Sequence, residues 1–173
     1  AVKWYALAAE QGNAVAQRNL ANMYYNGKGV PQDDKTAVKW WTLAAEQGNA
    51  SAQSNLGGMY ANGYGVPRDD NLALKWWTLA AKQGKAKAQS NLGVMYQFGY
   101  GVAENHEEAV RWYELAAHQG NSSAKRQLGD VFVMLGTKLR RNNVICQDMS
   151  RCKKALEFYY KAAELGNGDA MLL

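Results

Sequence analysis

The chain has 173 residues, of which 47% are hydrophobic, and it carries a formal net charge of +5. This length is enough to bury a sizeable core, and no apolar run approaches the ~20 residues of a membrane-spanning helix. The two cysteines and two histidines do not form a zinc-binding pattern. We therefore expect a folded domain with no membrane span, no metal and no cofactor.

The most informative feature of the chain is a unit that repeats every 36 residues. Self-alignment brings three sets of residues into register: Trp4, Trp40, Trp76 and Trp112; Gly12, Gly48, Gly84 and Gly120; Leu20, Leu56, Leu92 and Leu128. A fixed period of about 20 to 50 residues is typical of a solenoid. We predict an all-α fold, a right-handed α-α superhelix of stacked antiparallel helix pairs.

The predicted units follow one another along a single domain, residues 1–173. A partial unit at 1–13 precedes full units at about 14–48, 49–84, 85–120 and 121–166, and a second partial unit follows at 167–173. Solenoids normally close with polar capping repeats, so we expect this chain to be a segment of a longer protein. Its uncapped ends would then favour end-to-end self-association.

Each unit contains two stretches with helical periodicity, which we name helix B and helix A. Helix B of the unit at 14–48 is predicted at Asp34–Gln47, and helix A of the unit at 49–84 is predicted at Ala50–Asn62. Apolar residues recur in both at the spacing of one helix face. The short joint with Gly48 and Asn49 supplies a left-handed helix end and an N-cap. The longer joint, GYGVPRDD, supplies glycine turns and a proline that ends the helix.

Helix B carries a pair of neighbouring aromatic residues in each unit. The first members are Trp40, Trp76 and Trp112, and the second members are Trp41, Trp77 and Tyr113. Both recur on the stripe that also carries the alanines, so we predict that both pack in the core rather than around a ligand.

A longer pattern, A-x-x-W-[WY]-x-x-A-A-x-Q-G-x-x-x-A-x-x-x-L-[GA]-x-M-Y-x-x-G-x-G-V, covers nearly the whole chain. It resembles the SEL-one-like repeat, a relative of the tetratricopeptide repeat. The resemblance implies a non-enzymatic protein–protein interaction scaffold or adaptor whose helices A line the concave wall. Related scaffolds act in bacterial envelope and secretion systems, in host interaction and in membrane-protein quality control, and some are immunity proteins.

Candidate partner-binding residues are those of helix A that point away from the buried stripe. At 100° per residue, this set is Arg18, Asn19, Asn22, Ser54, Asn55, Asn62, Ser90, Asn91, Phe98, Arg126, Gln127 and Asp130. The position of Asn19 stays an amide in all four units, and an amide can both donate to and accept from a peptide backbone. The alternative is that each amide bonds a loop of the neighbouring unit.

The fourth unit departs from the pattern. Gly120 to Gly166 is 46 residues, which places a ten-residue insertion between about 135 and 153. Helix A is expected to run longer there, with Gly136 as a candidate end. The insert holds six cations against Asp148: Lys138, Arg140, Arg141, Arg151, Lys153 and Lys154. It is either a solvated insertion or a patch for an acidic ligand or nucleic acid.

Cys146 and Cys152 lie in the same insert, six residues apart. A disulfide between them would staple the loop in an oxidising compartment, and a periplasmic or secreted location would then be favoured. As two free thiols they would leave the compartment open.

An enzymatic reading starts from two S-x-x-K sequences, Ser122 to Lys125 and Ser150 to Lys153. Serine β-lactamases and penicillin-binding proteins use this pair together with S-D-N and K-T-G, and the chain contains neither. The S-x-x-K pair alone leaves a β-lactam-interacting serine enzyme of the cysteine-rich repeat type as the alternative. We assign no catalytic residue, because His106 and His118 have no cluster of carboxylates or cysteines at ligand spacing and are expected to be surface residues.

Overall fold

The computed structural model describes residues 2–141 and 149–167. Within these residues all regular secondary structure is helical, and consecutive helices pack as antiparallel neighbours. The helices are α1 (Val2–Glu10), α2 (Ala14–Asn26), α3 (Asp34–Glu46), α4 (Ala50–Asn62), α5 (Asp70–Lys82), α6 (Ala86–Phe98), α7 (His106–His118), α8 (Ser122–Arg141) and α9 (Met149–Glu164). The all-α solenoid is therefore confirmed, with α2, α4, α6 and α8 as helices A.

The two joints adopt the conformations that their residues predict. Gly48 has a φ of 85°, and the Asn49 side chain accepts a hydrogen bond from the backbone N–H of Ala52. At the longer joint, Asp69 caps α5 by accepting from the N–H of Leu72. Each helix A packs more extensively on the helix B that follows it than on the one before.

The aromatic pairs divide between two units. Trp41, Trp77 and Tyr113 are buried among the alanines of their own repeat. The first members pack against the preceding helix pair, and Trp76 belongs to the core of that pair. The predicted burial is confirmed for Trp76, but Trp40 and Trp112 are only partly buried. These side chains lie at the seam between stacked pairs, where each side covers only part of the ring.

Gly57 and Gly93 admit the second aromatic residue of the next helix B. A Cβ on Gly57 would lie 2.6 Å from the Trp77 ring, and one on Gly93 would lie 2.4 Å from the Tyr113 ring. The missing Cβ lets helices A and B approach closely, and the Trp77 indole N–H reaches the Ser54 carbonyl at 3.0 Å.

The prediction that α8 ends near Gly136 is wrong. The helix continues to Arg141, and Gly136 is buried within it. A Cβ at Gly136 would lie 2.8 Å from the ring of Tyr159 on α9. The glycine therefore serves close packing of two helices, as Gly57 and Gly93 do, and not a helix end.

A chain of glutamine side chains joins successive units. The helix A glutamine Gln53 donates to the Ala45 carbonyl at 3.0 Å and accepts from Gln83 of the next helix B at 2.8 Å. The equivalent bonds link Gln17 to Ala9 and Gln47, and Gln89 to Ala81 and Gln119. The fourth unit has Lys125 at this position, so the glutamine chain stops there.

Replacing Gln53 by methionine should lower the free energy of unfolding by about 1–2 kcal/mol, because two hydrogen bonds are lost at a buried site. Urea unfolding followed by circular dichroism measures this. Gln32→Met, at an exposed loop position, is the control and should change stability little. Equal effects of the two substitutions would contradict the role of Gln53.

Candidate protein-binding groove

An open groove of about 940 Å³ lies along one side of the described part of the chain. Three consecutive helices A, α2, α4 and α6, form its floor, and the loops after them contribute its rim. Five of the predicted binding residues border it: Asn22, Ser54, Asn55, Asn62 and Asn91. The prediction that Ser54 points outward is wrong, since this residue is buried, as Ser90 is. The spacing of helix A residues thus brings side chains from three units to one surface.

The Asn22 side chain occupies the groove at the first unit. Its side-chain oxygen accepts hydrogen bonds from the Trp41 indole N–H at 3.2 Å and from the Asn55 amide at 3.4 Å. Asn55 is therefore partly engaged by the neighbouring unit, through a side chain of helix α2 and not through the loop that the alternative prediction named. Asn62 is exposed and donates to the Gly58 carbonyl at 2.8 Å, within its own helix.

The space that the Asn22 side chain fills in the first unit is empty one unit later. Gly58 occupies the position of Asn22 one unit later, and a Cβ there would meet nothing within 4 Å. Asn91 occupies the position of Asn55, and no other described residue hydrogen bonds to its side chain. Its amide therefore faces the groove with its donors and acceptor available to a ligand.

The rim comes from loop residues that the sequence analysis did not single out. Lys28, Tyr64 and Tyr100 share one register, the middle position of the G-x-G loop, and all three line the groove. Tyr64 is 50% exposed and Tyr100 is 44% exposed. The shared register of non-glycine residues between two fixed glycines was the signal that could have found them.

The loop glycines themselves have a structural role, as predicted. Gly65 has a φ of 69°, and a Cβ there would lie 2.6 Å from the backbone carbonyl group of Asp34. The loop is thus pressed against the start of α3, and only glycine fits. This close approach fixes the rim residues relative to the floor.

The charges in the groove are mostly positive. Arg68 donates two hydrogen bonds to Asp70, at 3.0 and 2.9 Å, and its guanidinium lies 5.9 Å from the Tyr100 ring centre. The bonded carboxylate raises the pKa of Arg68. Lys28 and Lys87 are exposed lysines at the rim and floor, and neither forms an ion pair within the described residues.

The remaining predicted binding residues do not join this groove. Arg18 donates to Asn19 within α2 at 2.7 Å, Ser90 is 6% exposed, and Phe98 is exposed beside Tyr100. In the fourth unit Gln127 is half-buried, Arg126 borders a smaller cavity of about 160 Å³, and Asp130 accepts from Asn167 at 2.8 Å. As binding residues, these seven and the five that border the groove all remain predictions.

The residues considered for catalysis and for metal binding do not come together as a site within the described part of the chain. Ser122 and Lys125 are both exposed in the first turn of α8, and the side chains of Ser150 and Lys153 lie outside the described residues. Among the residues that the structure describes, no cluster of His, Cys, Asp and Glu could hold a metal.

The basic insert and its cysteines also fall mostly outside the described side chains. Lys138 is exposed near the end of α8. Of the proposed disulfide pair, Cys146 lies outside the described residues, and the side chain of Cys152 on α9 lies outside the described side chains. No helix in the two described stretches combines the length and apolarity needed to cross a membrane.

Stacked helix pairs with a groove along helices A define the class of helical solenoid repeat proteins. A family model, the Sel1 repeat, matches residues 1–13, 14–49, 50–85, 86–121 and 149–167. The chain therefore belongs to the Sel1 repeat family, whose members are generally non-enzymatic protein–protein interaction scaffolds. The resemblance read from the sequence is confirmed.

Solved structures agree with this assignment. The chain is 34% identical to a protective antigen of uropathogenic Escherichia coli that displays an SLR fold, with a TM-score of 0.72, covering 98% of this chain and 42% of that one. It is 35% identical to a Sel1 repeat protein from Oxalobacter formigenes, with a TM-score of 0.73, covering 98% of this chain and 66% of that one. The chain thus spans less than two thirds of either relative.

Cysteine-rich protein B of Helicobacter pylori shares the fold alone, at 23% identity and a TM-score of 0.56, covering 71% of this chain and 88% of that one. No curated protein sequence matches this chain.

Proposed function

We propose that this chain is a scaffold that binds a segment of a partner protein in the groove formed by α2, α4 and α6. The observation that carries the proposal is the groove itself, which crosses three consecutive repeats. A surface that repeats from unit to unit matches a ligand that also repeats, and a polypeptide backbone in extended form is such a ligand.

The side chains in the groove suit this ligand. Asn55 and Asn91 carry amides, which can donate to a backbone carbonyl and accept from a backbone N–H. Tyr64 and Tyr100 are exposed and offer large apolar area at a modest cost in side-chain entropy. Each net hydrogen bond contributes only about 1 kcal/mol, so useful affinity requires contacts with several units at once.

The test is selection of binding peptides from a random phage-displayed library, followed by affinity measurement on the selected sequences. We expect the unmodified chain to enrich a family of peptides. The double variant Asn55→Ala and Asn91→Ala should weaken their binding by about tenfold or more, equivalent to the ~1.4 kcal/mol of one or two hydrogen bonds.

Asn71→Ala is the matched control, because Asn71 is an exposed asparagine at the start of α5 and outside the groove. It should leave peptide affinity unchanged. Unchanged binding by the double variant, at unchanged stability, would remove the groove amides from the binding site. Failure of the library to yield any peptide would count against binding of protein segments by this chain.

A further inference from the structure

We propose that the segment bound in the groove is acidic, and that it makes a polar contact with Asn91 in the gap that Gly58 leaves. This inference rests on the proposed function and specifies its ligand. It comes from two independent features of the groove. One is the balance of charges along it, and the other is the replacement of Asn22 in the first unit by Gly58 in the second.

The first feature is the charge balance. The charged residues that line the groove are Lys28, Arg68, Lys87 and Asp70, a net charge of +2. Asp70 is already bonded by Arg68 through both carboxylate oxygens, so the two lysines are left without a counter-charge among the described residues. A segment with carboxylates would supply it, and charge complementarity of this kind selects partners and speeds association.

The positions of the lysines indicate spaced carboxylates. Lys28 lies in the loop after α2, and Lys87 lies in the first turn of α6, two units further along. A nucleic acid carries a charge on every nucleotide and is bound by a continuous set of cations. Two separated lysines with asparagines between them instead match a polypeptide with acidic residues on either side of a polar or neutral stretch.

The second feature is the replacement of Asn22 by Gly58. In the first unit Asn22 fills the space beside Asn55 and bonds its amide. In the second unit Gly58 leaves that space empty beside Asn91, although both residues line the groove. A backbone or side-chain amide of the ligand fits there, because it can take the place that the Asn22 amide has one unit earlier.

The experiment uses three immobilised pools of peptides of about ten residues, long enough when extended to cross the groove. Alternate positions are randomised in every pool, and the remaining positions are Glu, Ser or Lys. We expect the Glu pool to bind this chain about tenfold more tightly than the Ser pool, with affinity falling as salt rises. The Lys pool should not bind.

Two sets of variants separate the features. The pair Lys28→Glu and Lys87→Glu should abolish the preference for the Glu pool, whereas Lys35→Glu with Lys125→Glu, the same charge change at exposed positions outside the groove, should not. Gly58→Asn restores the partner that Asn22 provides in the first unit and should weaken binding. Gly58→Ala leaves the Asn91 amide free and should bind more tightly than Gly58→Asn.

Each alternative result overturns the inference. Equal binding of the Glu and Ser pools would show that the ligand is not acidic while leaving groove binding intact. Equal effects of Gly58→Asn and Gly58→Ala would remove the polar contact at Asn91. Displacement of the immobilised Glu peptides by oligothymidine at a lower concentration than free Glu peptide requires would make nucleic acid the occupant. Absence of binding by any pool would refute the proposed function itself.

Discussion

Replacing Trp77 by alanine should lower the free energy of unfolding by about 3–5 kcal/mol, the range for truncating a buried aromatic side chain. The ring is 7% exposed and packs against the alanines of α5 and α6. Its indole N–H also donates to the Ser54 carbonyl on α4. The substitution therefore removes core packing and a hydrogen bond between two helices together.

Urea unfolding followed by circular dichroism measures the change. Trp4→Ala is the control, because Trp4 is 77% exposed in this chain and its loss should cost much less. A similar loss of stability for the two variants would contradict the assignment of Trp77 to the core. A loss confined to one transition of several would show that the repeats unfold separately, as nearest-neighbour stacking permits.

Replacing Gly57 by alanine should destabilise the protein by about 1–3 kcal/mol, although alanine favours helix more than glycine does. The new Cβ would lie 2.6 Å from two atoms of the Trp77 indole, so the ring or α5 must move. Movement of the ring breaks the hydrogen bond to Ser54. Thermal and urea unfolding report the loss.

Gly58→Ala is the matched control one residue away, because a Cβ at Gly58 meets open space. That variant should be neutral or more stable by about 0.5–1 kcal/mol, the ordinary gain of alanine over glycine in a helix. Should both alanine variants stabilise the protein alike, close packing at Gly57 would not be the reason for the glycine.

The first unit suggests a compensated form of the same change. Ala21 and Asn22 stand where Gly57 and Gly58 stand one unit later, and there the Trp41 indole bonds the Asn22 side chain instead of a carbonyl. The double variant Gly57→Ala and Gly58→Asn reproduces that pair. We expect it to recover part of the stability that Gly57→Ala loses, because the new asparagine side chain can accept from the Trp77 indole N–H in place of the Ser54 carbonyl.

Much of the fold follows from the repeat pattern alone. The spacing of Ala37, Trp41, Ala44 and Ala45 indicates one buried face, and Asn49 and Gly48 mark a helix boundary, because these features depend on local backbone geometry. Helix A at Ala50–Asn62 was predicted at the bounds that the structure gives. The 36-residue period then implies stacking, since a single helix pair cannot bury both of its apolar faces.

The groove that we propose as the binding surface was predicted less completely, because its lining depends on contacts between units. Helical spacing identified Asn22, Asn55 and Asn91 on the groove side, but it could not show that Asn22 bonds Asn55 while Asn91 stays open. The rim residues Tyr64 and Tyr100 come from loops, where side-chain direction has no simple period. Partner identity depends on chemistry outside this chain.

Residue type and spacing within one unit specified the regular helices, the helix-pair stacking and the family, but not the end of α8. Only the tertiary structure decided which unit covers which side chain. Gly136 was predicted as a helix end and Gly57 was not singled out, yet at both positions an aromatic ring of a neighbouring helix occupies the space that a Cβ would need. Such contacts join residues 20 or more positions apart, and a local pattern does not specify them.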